Sequence, residues 1–405
     1  MEKELKLDVL LIGGGMISKD VVLPTIFQER RKGKINRVLV SSLNSGIIRG
    51  LQEHFSLEEF VGYPDPESTD PHQNFPTLYQ QAINDLGEGG LVFVATPDHL
   101  HTQMVLDAIE AGCDVVCMKP LCLKVAEAHQ IINKAREKGA YVFTEYHKRK
   151  DRAVRALRYK YRRGELGEVL YGHAWIEEPK YMPLEVFKDW CEHSSPFEYI
   201  GTHYADVYYY VTGLKPKRVV AFGQKKFLKK QGKDAYDAIQ AVIEWEDGSA
   251  FWIQTSWVCS PKNSAMTNQG LQLSGTMGEY WADHKYRNLH FLTEEGGFDQ
   301  YNPNFFKPYD SWDEEGEVEY VGYGYESNRQ AIDDVLLLKR ETSGLPPEEA
   351  LKRRKEIISK WERLATRALP CHALIGVAIN EAVRLSVDNG SRFVGFDEQM
   401  YPYLL

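Results

Sequence analysis

Five short apolar runs, separated by stretches of helical spacing, fill the first 150 residues and constrain the fold more than any other feature of the chain. They read DVLLIG, INRVLVSS, GGLVFVAT, CDVVCMK and AYVFTEYH. Between them lie MISKDVVLPTIFQ, FPTLYQQAIND, DHLHTQMVLDAIEAG and KVAEAHQIINKAREKG, the last two stopping at Gly112 and Gly139 as helices commonly do. Pro24 must be absorbed near the first turns of its helix or kink it. Strands that lack a polar face and alternate with helices require a parallel sheet covered on both sides.

The pattern changes after residue 150. AVRALRYKYRRGELG reads as a helix, and longer strands follow: VLYGHAWIEE, PKRVVAFGQKKF, AYDAIQAVIEWEDG, SAFWIQTSWVC and GLQLSGTMGEYWAD. Their polar–apolar alternation predicts an antiparallel or mixed sheet with one polar face. HYADVYYYVTG, NRQAIDDVLLLKRE and ALIGVAINEAVRLSVDNG read as helices, and the charged stretch 342–370 as a surface-laid one. The expected class is α/β. A Rossmann doubly wound parallel sheet, of the kind that binds dinucleotides, is expected over residues 1–147. An α+β domain over 148–405, with a large, mostly antiparallel open sheet, takes substrate and oligomerises.

Composition removes several function classes. A net charge of −9 offers no basic face for nucleic acid. No apolar run reaches the roughly 18–20 residues of a bilayer span. MEKELKLDVLLIGGG runs into glycines without the cleavage site of a secretory leader. The six cysteines (Cys113, Cys117, Cys122, Cys191, Cys259, Cys371) form no CxxC pair and read as free thiols of a reducing compartment. A cytoplasmic location is expected. His99, His101 and His203 show no ligand spacing, so no metal is expected.

Gly13-Gly14-Gly15-Met16-Ile17-Ser18 fits G-x-G-x-x-small directly after a strand and at the start of a helix. Gly13 permits the tight turn. Gly15 lets the backbone approach a pyrophosphate held at the helix N-terminus, with Met16 and Ile17 beside it. The second strand ends without the acid that commonly binds a ribose 2′-hydroxyl. It offers Ser41, Ser42 and Asn44 instead, with Arg49 further on, so NAD and NADP both remain open.

Strand ends of such a sheet lie at the carboxyl edge, where ligands bind. Thr96, Pro97, His99 and His101 follow the third strand, and Lys119 and Pro120 follow the fourth. Proline restricts the backbone after the lysine and fixes its direction. An ammonium aimed at a nicotinamide pocket bonds cofactor ribose and substrate hydroxyl, and stabilises negative charge developing on that oxygen.

Taken together, GGGMIS, TPDHLH, AGCDVVCMKPL and EYIGTHYADVYYYVTG resemble the motifs of the glucose–fructose oxidoreductase / inositol dehydrogenase (Gfo/Idh/MocA) family. Those motifs run G-x-G-x-x-small, T-P-x-x-x-H, A-G-x-x-V-x-x-E-K-P and D-x-x-x-H. The resemblance spans residues 8 to about 260, and HALIGVAINEAVRL is similar to the family's C-terminal helix. Two positions depart from the pattern. Met118 replaces the glutamate of E-K-P, near the cofactor, and Tyr199 replaces the aspartate four residues before the histidine.

The resemblance implies that His203 is the general base, or the acid in reverse, for hydride transfer at a hydroxyl-bearing carbon. Tyr199, His203 and Asp206 recur at spacings of four and three, so an α-helix carries them on one face. Tyr199 is a proton donor or ring contact, and Asp206 an orienter of the imidazole. Glu145, Tyr146, His147, Lys148 and Arg149 sit where the family keeps cofactor- and substrate-facing groups: Tyr146 toward cofactor, the last three toward substrate. Trp175 offers an aromatic face to a sugar ring, while Trp245, Trp252 and Trp257 pack a core or a subunit interface.

The function expected is an NAD(P)-dependent oxidoreductase acting on a secondary alcohol or ketone of a sugar, glycoside or cyclitol. Lys119 and His203 are expected to converge on the bound molecule. The alternatives are an NAD-dependent glycosidase using transient oxidation and elimination, and a non-catalytic dinucleotide-binding protein, which the pair Lys119 and His203 disfavours. The uncovered face of the second sheet predicts a homo-oligomer, dimer or tetramer.

Overall fold

The computed structural model describes residues 5–67, 70–263, 265–312 and 315–405. Six strands, β1 (Leu7–Ile12), β2 (Ile35–Ser41), β3 (Val61–Tyr63), β4 (Leu91–Val94), β5 (Asp114–Met118) and β6 (Val142–Glu145), pair in parallel in the order β3-β2-β1-β4-β5-β6. Every residue of β4, β5 and β6 is buried, as strands covered on both faces must be. β3 is an addition to the five expected strands. It is three residues long, partly exposed and at the sheet edge, too short to leave an apolar run. The order reverses between β1 and β4, and crevices of such sheets open there, at the carboxyl ends of the strands.

After the glycine turn the chain enters a π-helical turn, Ser18–Val22, and then the α-helix Leu23–Arg31. Pro24 stands in the first turn of that α-helix, directly after the π-helical turn.

The chain forms two compact units. The first comprises residues up to Leu121, Glu127–His147 and Phe306–His372; the second Cys122–Ala126, Lys148–Phe305 and Ala373–Leu405. The chain changes unit at 147/148, and residues 306–372 cluster with the first unit. Polar ties explain why. Arg354 bonds the Asp114 carboxylate and donates from Nε to Gly139 O at 2.8 Å. Asp334 accepts from Tyr141 Oη at 2.8 Å and from Arg367 Nε and Nη2, each at 2.7 Å. Trp361, on the charged helix Pro347–Leu364, packs edge-on against Tyr141 at 5.6 Å.

In the second unit β7 (Val169–Pro179), β8 (Pro216–Gln224), β9 (Ala238–Trp245), β10 (Ala250–Cys259), β11 (Asn268–Gly275) and β12 (Glu279–Asp283) lie in the order β12-β11-β7-β10-β9-β8. Val394–Phe396 and Pro402–Leu404 extend the β8 edge. Only the β7–β10 pair among these ladders is parallel. One face buries Ala174, Ile176, Ile243, Phe251 and Ile253. The helix Thr202–Thr212 lies on it, with Tyr208 stacked on Trp245 at 4.5 Å and on Phe251 at 4.7 Å. The opposite face carries His173 stacked on Trp252 at 4.5 Å, and exposes Phe222, Trp252 and Trp281. Among the described residues no helix is long and apolar enough to cross a membrane.

Candidate functional site

In the first unit the glycine turn leaves β1 at the reversal of strand order. Gly13 has φ of +115°, and a Cβ there would come within 2.2 Å of Ala95 O, so only glycine fits. A Cβ on Gly14 would meet Ile47 Cγ2 at 2.4 Å. Gly15 differs: a Cβ there meets nothing within 4 Å. The backbone at Gly15 therefore borders open space, immediately before the helical residues Met16 and Ile17. Backbone N–H groups bordering such space form the cradle an anionic pyrophosphate needs. The residues present fit a dinucleotide.

At the end of β2, Ser41 and Ser42 are buried. Asn44 caps the next helix, accepting from Ile47 N at 3.1 Å, and donates to Asn74 Oδ1 at 3.2 Å. Arg49 Nε donates to Pro66 O at 2.7 Å.

After β4, Thr96 Oγ1 lies 3.4 Å from Met104 Sδ, Pro97 is half-buried and His99 is exposed. His101 is fully buried, with Nδ1 2.7 Å from Pro120 O and Nε2 2.9 Å from Thr96 O. Both ring nitrogens are thus spent on backbone, so His101 positions two loops and is not a ligand contact. Lys119 is half-buried at the end of β5, directly after Met118, which is 7% exposed. At the end of β6, Glu145 and Tyr146 are buried, and Glu145 Oε2 lies 2.9 Å from His147 Nδ1. Gly13, Gly15, Thr96, Lys119, Tyr146 and His147 therefore stand together along the carboxyl edge of one sheet.

In the second unit His203 sits on the helix Thr202–Thr212, 4% exposed. Its expected companions each make other contacts. Residues Phe197–Gly201 form a π-helical turn that leads into that helix, so Tyr199 lies in the turn while His203 and Asp206 lie in the helix. The Tyr199 ring instead joins Phe187 at 4.7 Å, Trp190 at 5.3 Å and Trp257 at 6.2 Å. Asp206 gives both carboxylate oxygens to Arg149, at 2.8 Å from Nε and 2.6 Å from Nη2, so it does not orient the histidine. Burial pushes the Asp206 carboxyl up, and Arg149 opposes that rise. The same bidentate pair withdraws Arg149 from the substrate role expected of it. Both side chains are buried, and the guanidinium lies 5.1 Å from the Tyr210 ring centroid.

Lys148 is also buried. Its Nζ bonds Gln269 Oε1 and lies 5.1 Å from the centre of the Tyr204 ring. Trp175 alternates with buried Ala174 and Ile176, which places it on the face opposite the Thr202–Thr212 helix. There it covers Gly270, whose added Cβ would come within 2.3 Å of it. The sheet stands between Trp175 and His203, so Trp175 is not part of a site built around that histidine.

One buried histidine escaped sequence reasoning. His284 shares a 3.0 Å hydrogen bond with Tyr204 Oη, and its Nε2 is buried with no partner among the described residues. A lone histidine in ADHKYRN carries no spacing signal that would have singled it out.

Two family models match the chain. An oxidoreductase family model with an NAD-binding Rossmann fold covers residues 7–146, and a GFO/IDH/MocA C-terminal domain covers 154–281. A 1,5-anhydro-D-fructose reductase of Ensifer adhaerens is 24% identical over 59% of this chain and 66% of its own length. A D-glucoside 3-dehydrogenase of Escherichia coli is 26% identical over 44% and 55%. A 2,7-anhydro-N-acetylneuraminate hydratase of Mediterraneibacter gnavus is 29% identical over 40% and 46%. The chain thus spans about half to two thirds of the length of these curated relatives.

Among solved structures, an inositol dehydrogenase homolog of Azotobacter vinelandii complexed with NADH and myo-inositol matches with a TM-score of 0.67 and 19% identity, covering 97% of this chain and 98% of that one. GenD2 of gentamicin A biosynthesis, in complex with NAD, matches with a TM-score of 0.67 and 18% identity over 97% of each chain. At such identities these structures share the fold. With both domain models matched in order across most of its length, the chain belongs to the GFO/IDH/MocA family of oxidoreductases.

Proposed function

We propose that the protein is a nicotinamide-dinucleotide oxidoreductase acting on a secondary alcohol, or the matching ketone, of a sugar, glycoside or cyclitol. The observation that carries this reading is the open space at Gly15 beside the strand-order reversal, with Lys119 at the end of β5, two strands along the same edge. Gly13, Gly15 and the helix start at Met16 would hold the pyrophosphate. Ser41, Ser42 and Thr96 would serve the nucleoside portions. Bound there, a nicotinamide ring accepts or returns a hydride. Lys119 bonds the substrate oxygen and stabilises the charge it gains. His203 removes the hydroxyl proton, or returns it in the reverse direction. The relatives' names support a carbohydrate-like substrate.

The test is mass spectrometry of any nucleotide that copurifies, followed by absorbance at the nicotinamide band with a panel of sugars, glycosides and cyclitols and their ketones. Substrate-dependent absorbance change is expected, and Lys119→Ala and His203→Ala should each lower turnover by about 100-fold or more. Silence across alcohols and ketones alike contradicts the reading.

The relative named as a hydratase favours a second reading, in which oxidation is transient and elimination follows. Product release without net cofactor turnover separates the two. The exposed apolar face bearing Trp252 and Phe222 supports a homo-oligomer that buries it. Sedimentation of Trp252→Glu as a smaller species than wild type tests that.

A further inference from the structure

Glu145 is the last residue of β6 and is 3% exposed. Its Oε2 lies 2.9 Å from His147 Nδ1, while Oε1 is buried with no hydrogen-bond partner among the described residues. A buried carboxylate oxygen without a donor is costly, and native structures seldom retain one without a purpose. The ladder supplies a second observation. Glu145 is the Cα partner of Met118, the position where the family motif carries its glutamate. The carboxylate absent from β5 is thus present one strand over, at the same level of the sheet edge.

Position narrows what it meets. β6 lies three strands from β1. With neighbouring strands about 4.8 Å apart, Glu145 is on the order of 14 Å along the edge from the glycine turn. That distance is too long for a pyrophosphate contact and suits the nucleoside beyond it. We infer that Glu145 contacts the nicotinamide–ribose end of the dinucleotide, its Oε1 accepting from a carboxamide N–H or a ribose hydroxyl. His147 is a positioning residue. It holds Oε2 from Nδ1, and its own ring lies 5.5 Å from that of Tyr323. The inference rests on the dinucleotide reading above.

Calorimetric titration of the full chain with NAD, ADP-ribose and ADP tests it. ADP reaches the glycine turn but lacks the nicotinamide–ribose end. Glu145→Ala should weaken NAD by about tenfold or more, the worth of a hydrogen bond to a charged group, while ADP affinity stays within about twofold. Loss with both NAD and ADP-ribose assigns the ribose hydroxyl as donor, and loss with NAD alone assigns the carboxamide. If Glu145→Ala does not fold, the near-isosteric Glu145→Gln carries the test, with a smaller loss of the same pattern. Unchanged NAD binding, or parallel loss of NAD and ADP, overturns the role of Glu145. Wild-type protein that binds none of the three overturns the dinucleotide reading itself, a separate and visible outcome.

Discussion

His101 Nδ1 lies 2.7 Å from the carbonyl oxygen of Pro120, and the opposite ring nitrogen lies 2.9 Å from that of Thr96. One buried ring thereby ties the loop after β4 to the loop that carries Lys119. Both partners are acceptors and a neutral ring donates to one of them, so alanine at this position leaves a carbonyl without its donor and removes the ring that bridges the two loops. His101→Ala should lower stability in urea by about 2 kcal/mol. Hydrogen exchange should quicken at residues 96–100 and 119–122. An unchanged urea midpoint would show that the ring is not a tie.

The glycine turn makes a two-part prediction. Gly13→Ala forces a side chain into a backbone oxygen and a left-handed φ, and should destabilise the protein by about 2 kcal/mol or more. Gly15→Ala meets no atom of the chain, so its urea midpoint should match wild type. It should nonetheless bind NAD at least about tenfold more weakly, because the methyl group enters the space reserved for the pyrophosphate. Equal NAD affinity in Gly15→Ala would place the dinucleotide elsewhere.

Cofactor preference follows from the end of β2. A 2′-phosphate calls for a cation, most often a forked guanidinium. Arg49, the first arginine after that strand end, donates from Nε to Pro66 O at 2.7 Å, and Ser41 and Ser42 are buried hydroxyls. NAD should bind at least about tenfold more tightly than NADP by calorimetry. Equal or tighter NADP binding would mean that Arg49 changes partner on binding.

His284 should steepen the loss of stability in acid. Burial first, then the cations of Lys148 and Arg287, hold its pKa well below the usual imidazole range. In the unfolded chain it takes up a proton near pH 6.5, and in the folded chain it does not. The unfolded state therefore binds more protons below that pH, and stability falls on acidification by up to about 1.4 kcal/mol per pH unit. His173, also lowered by burial, adds to the same trend. His284→Gln should flatten the loss between about pH 6.5 and 5 in urea titrations. An identical slope in the variant would assign the acid limb to other groups.

Much of this was legible in the residues. Near-continuous apolar runs gave the parallel sheet, and the glycine turn and Lys119 fell at its carboxyl edge as strand-end logic requires. Two features resisted for identifiable reasons. The π-helical turn at Phe197–Gly201 places Tyr199 outside the regular helix expected to carry it, and the sequence EYIGTHYAD carries no signal for that turn. Asp206 bonds Arg149, which lies 57 residues away, and no local spacing encodes that choice. The placement of Trp175 was readable: it alternates with Ala174 and Ile176, and strand parity alone assigns it to the outer face.

The return of residues 306–372 to the first unit bears on how the chain can be made and cut. Asp114 waits 240 residues for Arg354, and Tyr141 waits 193 for Asp334. During synthesis the nucleotide-binding half cannot complete itself when its last strand emerges. The acid then has only the Tyr141 N–H, at 2.8 Å, and the phenol waits for Asp334 until the intervening second unit has been synthesised, an ordering that favours slow closure. A fragment ending at residue 147 would stay in that unfinished condition. No single proteolytic cut between residues 148 and 305 would release either half intact.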